Sequence, residues 1–464
     1  MESVILVPFE GEGSGTFDLT WGQLEIWSAM CHQNSSLPIG GAMAVPEGAT
    51  VDHAVMTLRN IMSRHQSLRT RLVFDPAADG GVRQVLHSSG EVPLRIVDIA
   101  DDEDAEAKAT ELFQSMRDEF FDYAAEWPVR TVVVRKGGVV THSVVVYCHI
   151  AMDARGMAAL MEDLGKLDYS TGVHPLPAEE VQPVDQVRWQ NAPEGQRHHE
   201  ATIKRWRRQL SRVPSNRFSE TSDERSPRYW HATYESEAAH LASRLICERT
   251  RADATAVMLA AAAVELARAT GCSPSVLQTV VHNRFRPGMA DVVAPVAQSA
   301  LCVIEVGDGT FDEVVAKAWR ASIQAYMNSY YNPVRLDGAV EQLGRERGEE
   351  IDLDWYFNDR RGDESRSMDG PVPSVAQVTE ALTRSRFVWR EPTVDPAARV
   401  FVTIEDGPGS VSLMMESDTR FVPPAHTEQV LRGMERMLVA AALDPGATTG
   451  LRAREGMAPK VHAA

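Results

Sequence analysis

Thr141-His142-Ser143-Val144-Val145-Val146-Tyr147-Cys148-His149-Ile150-Ala151-Met152-Asp153-Ala154-Arg155-Gly156 is the stretch on which the reading of this sequence turns. The β-branched run Val144-Val145-Val146 predicts a strand, and Met157 to Leu164 predicts a helix. Between them His149 sits where the strand stops, with Asp153 four residues on and a small-residue turn at Ala154-Arg155-Gly156. A rigid strand fixes where a side chain at its end points, so such positions commonly carry chemistry. A lone histidine there is nevertheless more often structural, and the rest of the chain has to decide.

The 464 residues, 44% hydrophobic and 24% charged, suit a soluble globular protein of two or three domains. No run of about 18 apolar residues suggests a membrane span, and Met1 to Leu6 lacks the basic start of a secretory signal. A net charge of −18 argues against nucleic acid, because a phosphate binder needs a basic face. Five scattered cysteines without CxxC spacing argue against a metal site and for a cytoplasmic, reducing compartment. His149 and Asp153 lack a third ligand nearby, which also speaks against a metal. One basic helix, with Lys204, Arg205, Arg207, Arg208 and Arg212, runs against the acidic average. It reads either as a solvated face or as a docking patch for an acidic partner.

Along the chain, Thr20 is a plausible N-cap for a helix carrying Trp21, Leu24 and Trp27. Val51 to Met62 predicts a second helix, and Arg64 to Leu72 a helix-to-strand junction. Val129 to Val134 and Val139 to Val146 flank Gly137-Gly138, a hairpin that delivers the chain to His149. The Pro- and Gly-rich stretch 168–193 suggests a domain boundary, which we place at 175/176. Later expectations are an Ala-rich helix at Thr255 to Ala269, strands at Val276 to Val281 and Leu353 to Phe357, a loop-like stretch from Gly362 to Ser385, and a closing helix at Ala425 to Leu443.

The order of several strings resembles the condensation domains of nonribosomal peptide synthetases. His149-x-x-x-Asp153 resembles the family signature HHxxxDG; LTWGQLEIW (Leu19 to Trp27) resembles its opening motif, and RHQSLRTRL (Arg64 to Leu72) its RHExLRTxF. PVDQVRWQ (Pro183 to Gln190), HNRFRP, VVAPVAQSALC (Val292 to Cys302) and WYFND (Trp355 to Asp359) follow in the family's order. The resemblance implies an α+β fold of two chloramphenicol-acetyltransferase-like lobes in a V with a central active-site tunnel. The lobes would be 1–175 and 176–464, with crossing segments near 284–302 and 362–386. It implies a free-standing enzyme joining a carrier-bound acyl or aminoacyl thioester to an amine or hydroxyl, so that an amide or ester forms in natural-product biosynthesis. The donor arrives on the phosphopantetheine arm of a partner carrier protein; no cofactor is held permanently, and the enzyme is a cytoplasmic monomer without membrane or nucleic-acid partners.

The resemblance also assigns residues. His149 is the general base or acceptor positioner. Asp153 forms a structural ion pair with Arg284, and an N–H near Ala154 is the oxyanion donor. Arg155, Gly156, Gln298, Ser299 and Asn358 would bind substrate; Arg205, Arg207 and Arg208 would dock the carrier. Three positions depart from the family: Cys148 replaces the first His, Ala154 the signature Gly, and Gln298-Ser299 the usual Asn-Thr. If position 154 requires a positive φ, alanine strains it, and Gly156 is then expected to supply the freedom. These departures keep open an inactive scaffold or recruitment module. A coenzyme A-dependent acyltransferase is a third reading, weakened by the absence of a late DFGWG motif.

Overall fold

Runs such as Val132-Val133-Val134 form strands whose two faces are both covered, which is why they read as continuous apolar stretches. In the computed structural model Val132 and Val134 enter one apolar cluster and Val133 another. The structure describes residues 2–177, 181–214, 220–362, 366, 371–393 and 398–451. These fall into two compact units.

The first unit holds β1 (Glu2–Glu10), β2 (Gly15–Asp18), β3 (Ile39–Ala44), β4 (Thr70–Phe74), β5 (Val82–Leu86), β6 (Ser89–Ile99), β7 (Val129–Lys136) and β8 (Val139–Tyr147). One five-stranded sheet runs β1-β6-β7-β8-β3, and a three-stranded sheet runs β2-β5-β4. β7 and β8 pair antiparallel, closed by Gly137 and Gly138 at φ 56 and 82. Two central residues with positive φ make the turn whose twist matches a hairpin. β8 is therefore interior, hydrogen-bonded to β7 on one side and β3 on the other. Thr20 caps the helix Trp21–Gln33 in a reciprocal box with Gln23.

The second unit holds β9 (Tyr229–Ser236), β10 (Ser275–Val281), β11 (Gln298–Ile304), β12 (Trp355–Asp359), β13 (Arg386–Trp389), β14 (Val400–Gly407) and β15 (Ser410–Asp418), ordered β11-β10-β12-β14-β15-β9-β13. The Ala-rich helix Ala254–Thr270 is buried nearly throughout, and its small side chains allow neighbours to approach on every side. Together with Val430, Leu431 and Leu438 of the helix Pro424–Leu443, it fills the core of this unit.

The grouping differs from the expected boundary at 175/176. The first unit extends to Ala201 and also contains His282–Gln298 and Tyr330–Asp337. The first of these overlaps the crossing segment expected near 284–302, whereas no expectation covers Tyr330–Asp337; what ties both back is packing. Met289, Val292, Ala294, Val296 and Tyr330 share an apolar cluster with Trp21, Val144 and Val146. The expected loops at 168–193 and 362–385 contain the helices Pro183–Asn191 and Val375–Ala381. Residues 363–365 and 367–370 of the expected second crossing segment lie outside the described residues. Strands β1, β3, β6 and β11 give no clear signal in the sequence, being short of clean alternation or broken by Gly and Pro. Among the described residues no helix is long and apolar enough to cross a membrane.

The helix Trp21–Gln33 lies so close to the return segment that a Cβ at Gly22 would stand 2.3 Å from the Pro295 carbonyl oxygen. Backbone cannot yield as a flexible side chain can. Gly22→Ala is expected to cost about 1–3 kcal/mol of stability, read as a lowered urea midpoint with an unchanged slope.

Candidate active site

β8 ends at Tyr147, and the next residues leave the strand through bonds that pin each peptide. Cys148 N–H donates to Pro128 O (3.0 Å), His149 N–H to Ser36 O (3.2 Å) and Ala151 N–H to Cys148 O (3.0 Å). Adjacent strand residues face opposite ways: Cys148 enters the core with Val144 and Val146, while His149 stays half-buried. The His149 Nδ1 lies 2.8 Å from Met152 O. A carbonyl only accepts, so Nδ1 carries a proton, and in the neutral tautomer that this contact selects, the lone pair is at Nε2. Burial pushes the Cys148 thiol up to about 12, and its Sγ–H points to Ser36 O (3.8 Å). Such a thiol is neither ionised nor directed at His149, which removes it as a nucleophile.

Asp153 is the N-cap of the helix Ala154–Leu164. Its Oδ1 accepts from Gly156 N–H (2.7 Å), and both carboxylate oxygens meet the Arg284 guanidinium (Nη1 to Oδ2 2.9 Å, Nη2 to Oδ1 2.9 Å). Val296 N–H (2.9 Å) and Ala297 N–H (3.0 Å) complete Oδ2. Burial alone would raise this carboxyl. The Arg284 charge and the converging N–H donors more than offset it, holding Asp153 below the usual range. Arg284 Nη2 is in turn satisfied by Val292 O and Ala294 O, each at 3.0 Å. Asn283, at φ 58, makes the left-handed turn that aims Arg284, and its Nδ2 donates to Val296 O (3.1 Å).

Ala154 is the first helical residue and is not among the positive-φ positions of the described chain. The missing signature glycine therefore costs no backbone strain here. Gly156 does not supply that freedom either; it supplies space. A Cβ there would lie 3.2 Å from both Arg284 Nη2 and Ala294 O.

The far end of the same helix is held by residues of the RHQSLRTRL string. Arg64 donates from Nε and Nη2 to Asp163, both at 2.8 Å, and His65 Nε2 lies 3.2 Å from Asp163 Oδ2. His174 Nε2 approaches Asp163 Oδ1 at 3.2 Å. The sequence motifs do not single out Asp163. It does sit on the apolar stripe of its helix with Leu160, a signal that a carboxylate needs partners. Arg69 is buried and donates to the carbonyls of Gly13, His87 and Glu12.

The other expected site residues are placed as follows. Arg155 is half-buried in the helix's first turn. Gln298 is buried with its amide engaged at both ends, donating to Tyr331 O (2.8 Å) and accepting from Tyr331 N–H (3.3 Å); this makes it a clamp on the backbone. Ser299 is buried on β11, and Asn358 is half-buried on β12. Of the basic helix, Arg207 is engaged by Glu346 (2.7 and 3.0 Å). Arg205 is half-buried, whereas Arg208 is exposed.

The Asp153 geometry has a pH signature. Its folded pKa is depressed, so the stability it contributes is present above the unfolded value of about 3.9 and is lost as pH falls towards the folded value. Asp153→Asn is expected to destabilise the protein at pH 7 by about 3–5 kcal/mol, because Arg284 is left buried and unpaired. In urea titrations the gap from wild type should narrow only below about pH 4.

A family model described as Condensation domain matches residues 30–357. Over 284 residues the chain is 30% identical to cyclosporin synthetase of Tolypocladium inflatum, which is 58% of this chain and 2% of the synthetase. It thus spans a small fraction of the length of that relative. Among solved structures, SgcC5 from Streptomyces globisporus aligns with a TM-score of 0.66 and 20% identity, covering 93% of this chain and 100% of that one. The X-domain from teicoplanin biosynthesis aligns with a TM-score of 0.68 and 20% identity over 93% and 96% of the two chains. At such identity the likeness concerns the fold, α+β with chloramphenicol-acetyltransferase-like lobes. On the match across most of its length, the chain belongs to the condensation domain family, whose members are generally acyltransferases of natural-product biosynthesis.

Proposed function

We propose that this protein joins a carrier-bound acyl or aminoacyl thioester to an amine or hydroxyl acceptor, with His149 as general base or positioner. The observation that carries the reading is the Nδ1 contact to Met152 O, which sets the lone pair at Nε2 of a half-buried ring at a strand end. The acceptor nitrogen or oxygen attacks the thioester carbonyl carbon while its proton passes to Nε2. The C–S bond then breaks, and the departing phosphopantetheine thiolate takes up a proton as the amide or ester forms. Negative charge grows on the carbonyl oxygen in between, where an N–H donor helps most. Ala154 suits that part, because the first amides of a helix lack intrahelical partners and Gly156 N–H is already taken by Asp153.

Both departures from the family signature leave this machinery in place: Cys148 packs inward and Ala154 adopts ordinary helical backbone. That favours catalysis over an inactive scaffold. Asp153, with Arg284, holds local structure and transfers no proton. Arg155 and Asn358 remain the proposed substrate contacts, whereas Gln298 and Gly156 act through the backbone they hold or admit. For a carrier protein, Arg208 is the one of the three expected docking arginines, Arg205, Arg207 and Arg208, that is exposed. All five cysteines are unpaired, in keeping with a reducing cytoplasm.

An intact-mass assay tests the reading: acyl-loaded carrier protein is offered candidate amines and alcohols, with wild type and His149→Ala in parallel. Loss of one positioned base should lower product formation by about 10²–10⁴-fold while circular dichroism stays unchanged. Wild-type turnover by His149→Ala would overturn it.

A further inference from the structure

The bond that guides the chain past β8 is made out of register. β3 and β8 pair Ile39 with Tyr147, and unbroken antiparallel continuation would set Leu37 against His149. Instead His149 N–H reaches the Ser36 carbonyl at 3.2 Å. Leu37 accounts for the slip. It stands at φ 44, in the left-handed region that a branched side chain enters at a cost. Ser36 and Leu37 precede β3 and His149 follows β8, so the slip falls where the ladder has ended and resets which residues face each other there.

The segment around the slip is fastened throughout. Asn34, at φ 47, closes the helix Trp21–Gln33, and Ser35 N–H returns to Met30 O (3.1 Å). Leu37 N–H donates to Ser35 Oγ (3.1 Å). Ser36 is buried; its hydroxyl accepts from Phe121 N–H (3.1 Å) and lies 3.1 Å from Tyr123 Oη. Its carbonyl receives both His149 N–H and the Cys148 thiol. Ser36 thus bonds to the peptide of His149 and to the residues behind it.

We infer that Ser36 is a positioning residue for His149, held in place by Tyr123, with a one-residue slip past the end of the ladder bringing its carbonyl to the histidine's peptide N–H. His149 Nδ1 is bonded to Met152 within its own turn, so ring and turn move together, and a shift of the His149 peptide shifts Nε2. Removing the Ser36 hydroxyl strands the buried Phe121 N–H, takes a partner from the half-buried tyrosine hydroxyl and releases the peptide that steers His149. Burial pushes the Tyr123 hydroxyl up to about 12, so it stays protonated at neutral pH. The inference rests on the proposed role of His149.

The test measures kcat and KM of acyl transfer, per folded molecule, for Ser36→Ala, Ser36→Thr, Tyr123→Phe and His149→Ala in the full chain. Misplacement of a reacting group by a fraction of an ångström predicts that Ser36→Ala lowers kcat about tenfold at unchanged KM. Ser36→Thr, which keeps the hydroxyl, should recover most of the loss, and Tyr123→Phe should fall between. A purely structural serine would lower the melting temperature and leave kcat of the folded fraction alone. Wild-type kcat in Ser36→Ala and Tyr123→Phe, with His149→Ala inactive, overturns this inference and leaves the proposed function standing. Wild-type turnover by His149→Ala overturns both. Should Ser36→Ala not fold, Tyr123→Phe decides, and an undiminished kcat there counts against the inference.

Discussion

The buried pair of Asp153 and Arg284 is the interaction on which the candidate site depends. Placing two charges out of water is costly unless every remaining donor and acceptor is satisfied. Here the carboxylate receives the guanidinium and three backbone N–H groups, and the two Nη groups also donate to three carbonyls, which leaves Nε as the one buried guanidinium donor without a partner among the described residues. Because most of those backbone groups belong to residues 292–297, the pair ties the helix after His149 to a segment well over a hundred residues away. Gly156 belongs to the same device, since it leaves room for the guanidinium to approach the helix.

The helix Ala154–Leu164 is clamped at its other end by a second saturated carboxylate, Asp163, with Arg64 and His65. Burial would raise the Asp163 carboxyl, but its His65 and Arg64 partners win and hold it well below the usual carboxylate range. The His149 turn therefore hangs between an interior strand and a helix fixed at both ends. This explains how the turn accommodates Cys148 and Ala154 without a change in what holds it. Cys148 has only to fill core volume, and Ala154 only to begin a helix. Neither position carries the strain or the charge that holds the turn.

Much of the fold is legible in the sequence because its elements announce themselves locally. Gly137-Gly138 gives the hairpin, Thr20 the helix start, and the apolar runs the buried strands. His149, Asp153 and Arg284 are reached through the order of motifs rather than through any single spacing, and the structure does bring Asp153 and Arg284 together. What local pattern cannot show is long-range packing. The return of 282–298 to the first unit, the engagement of Gln298 by the Tyr331 backbone and the pairing of Arg207 with Glu346 each depend on residues distant in sequence. The role of Gly156 escapes the sequence for a related reason: a glycine can be needed for a conformation or for a close approach, and only coordinates tell them apart.

Capping and ion pairing share one carboxylate in this arrangement. An N-cap side chain usually takes an amide from the first turn to stabilise the helix, and Asp153 takes Gly156 N–H. The amide of Ala154, which lies nearer His149 in the chain, stands outside the cap. The first helical amide follows the capping residue too closely for its side chain to reach, and the cap draws on the second or third amide instead. The bidentate grip of Arg284 fixes the orientation of the carboxylate, and hence which amide is used. The ion pair thereby selects the third helical amide for the cap, while the first is left without an intrahelical partner.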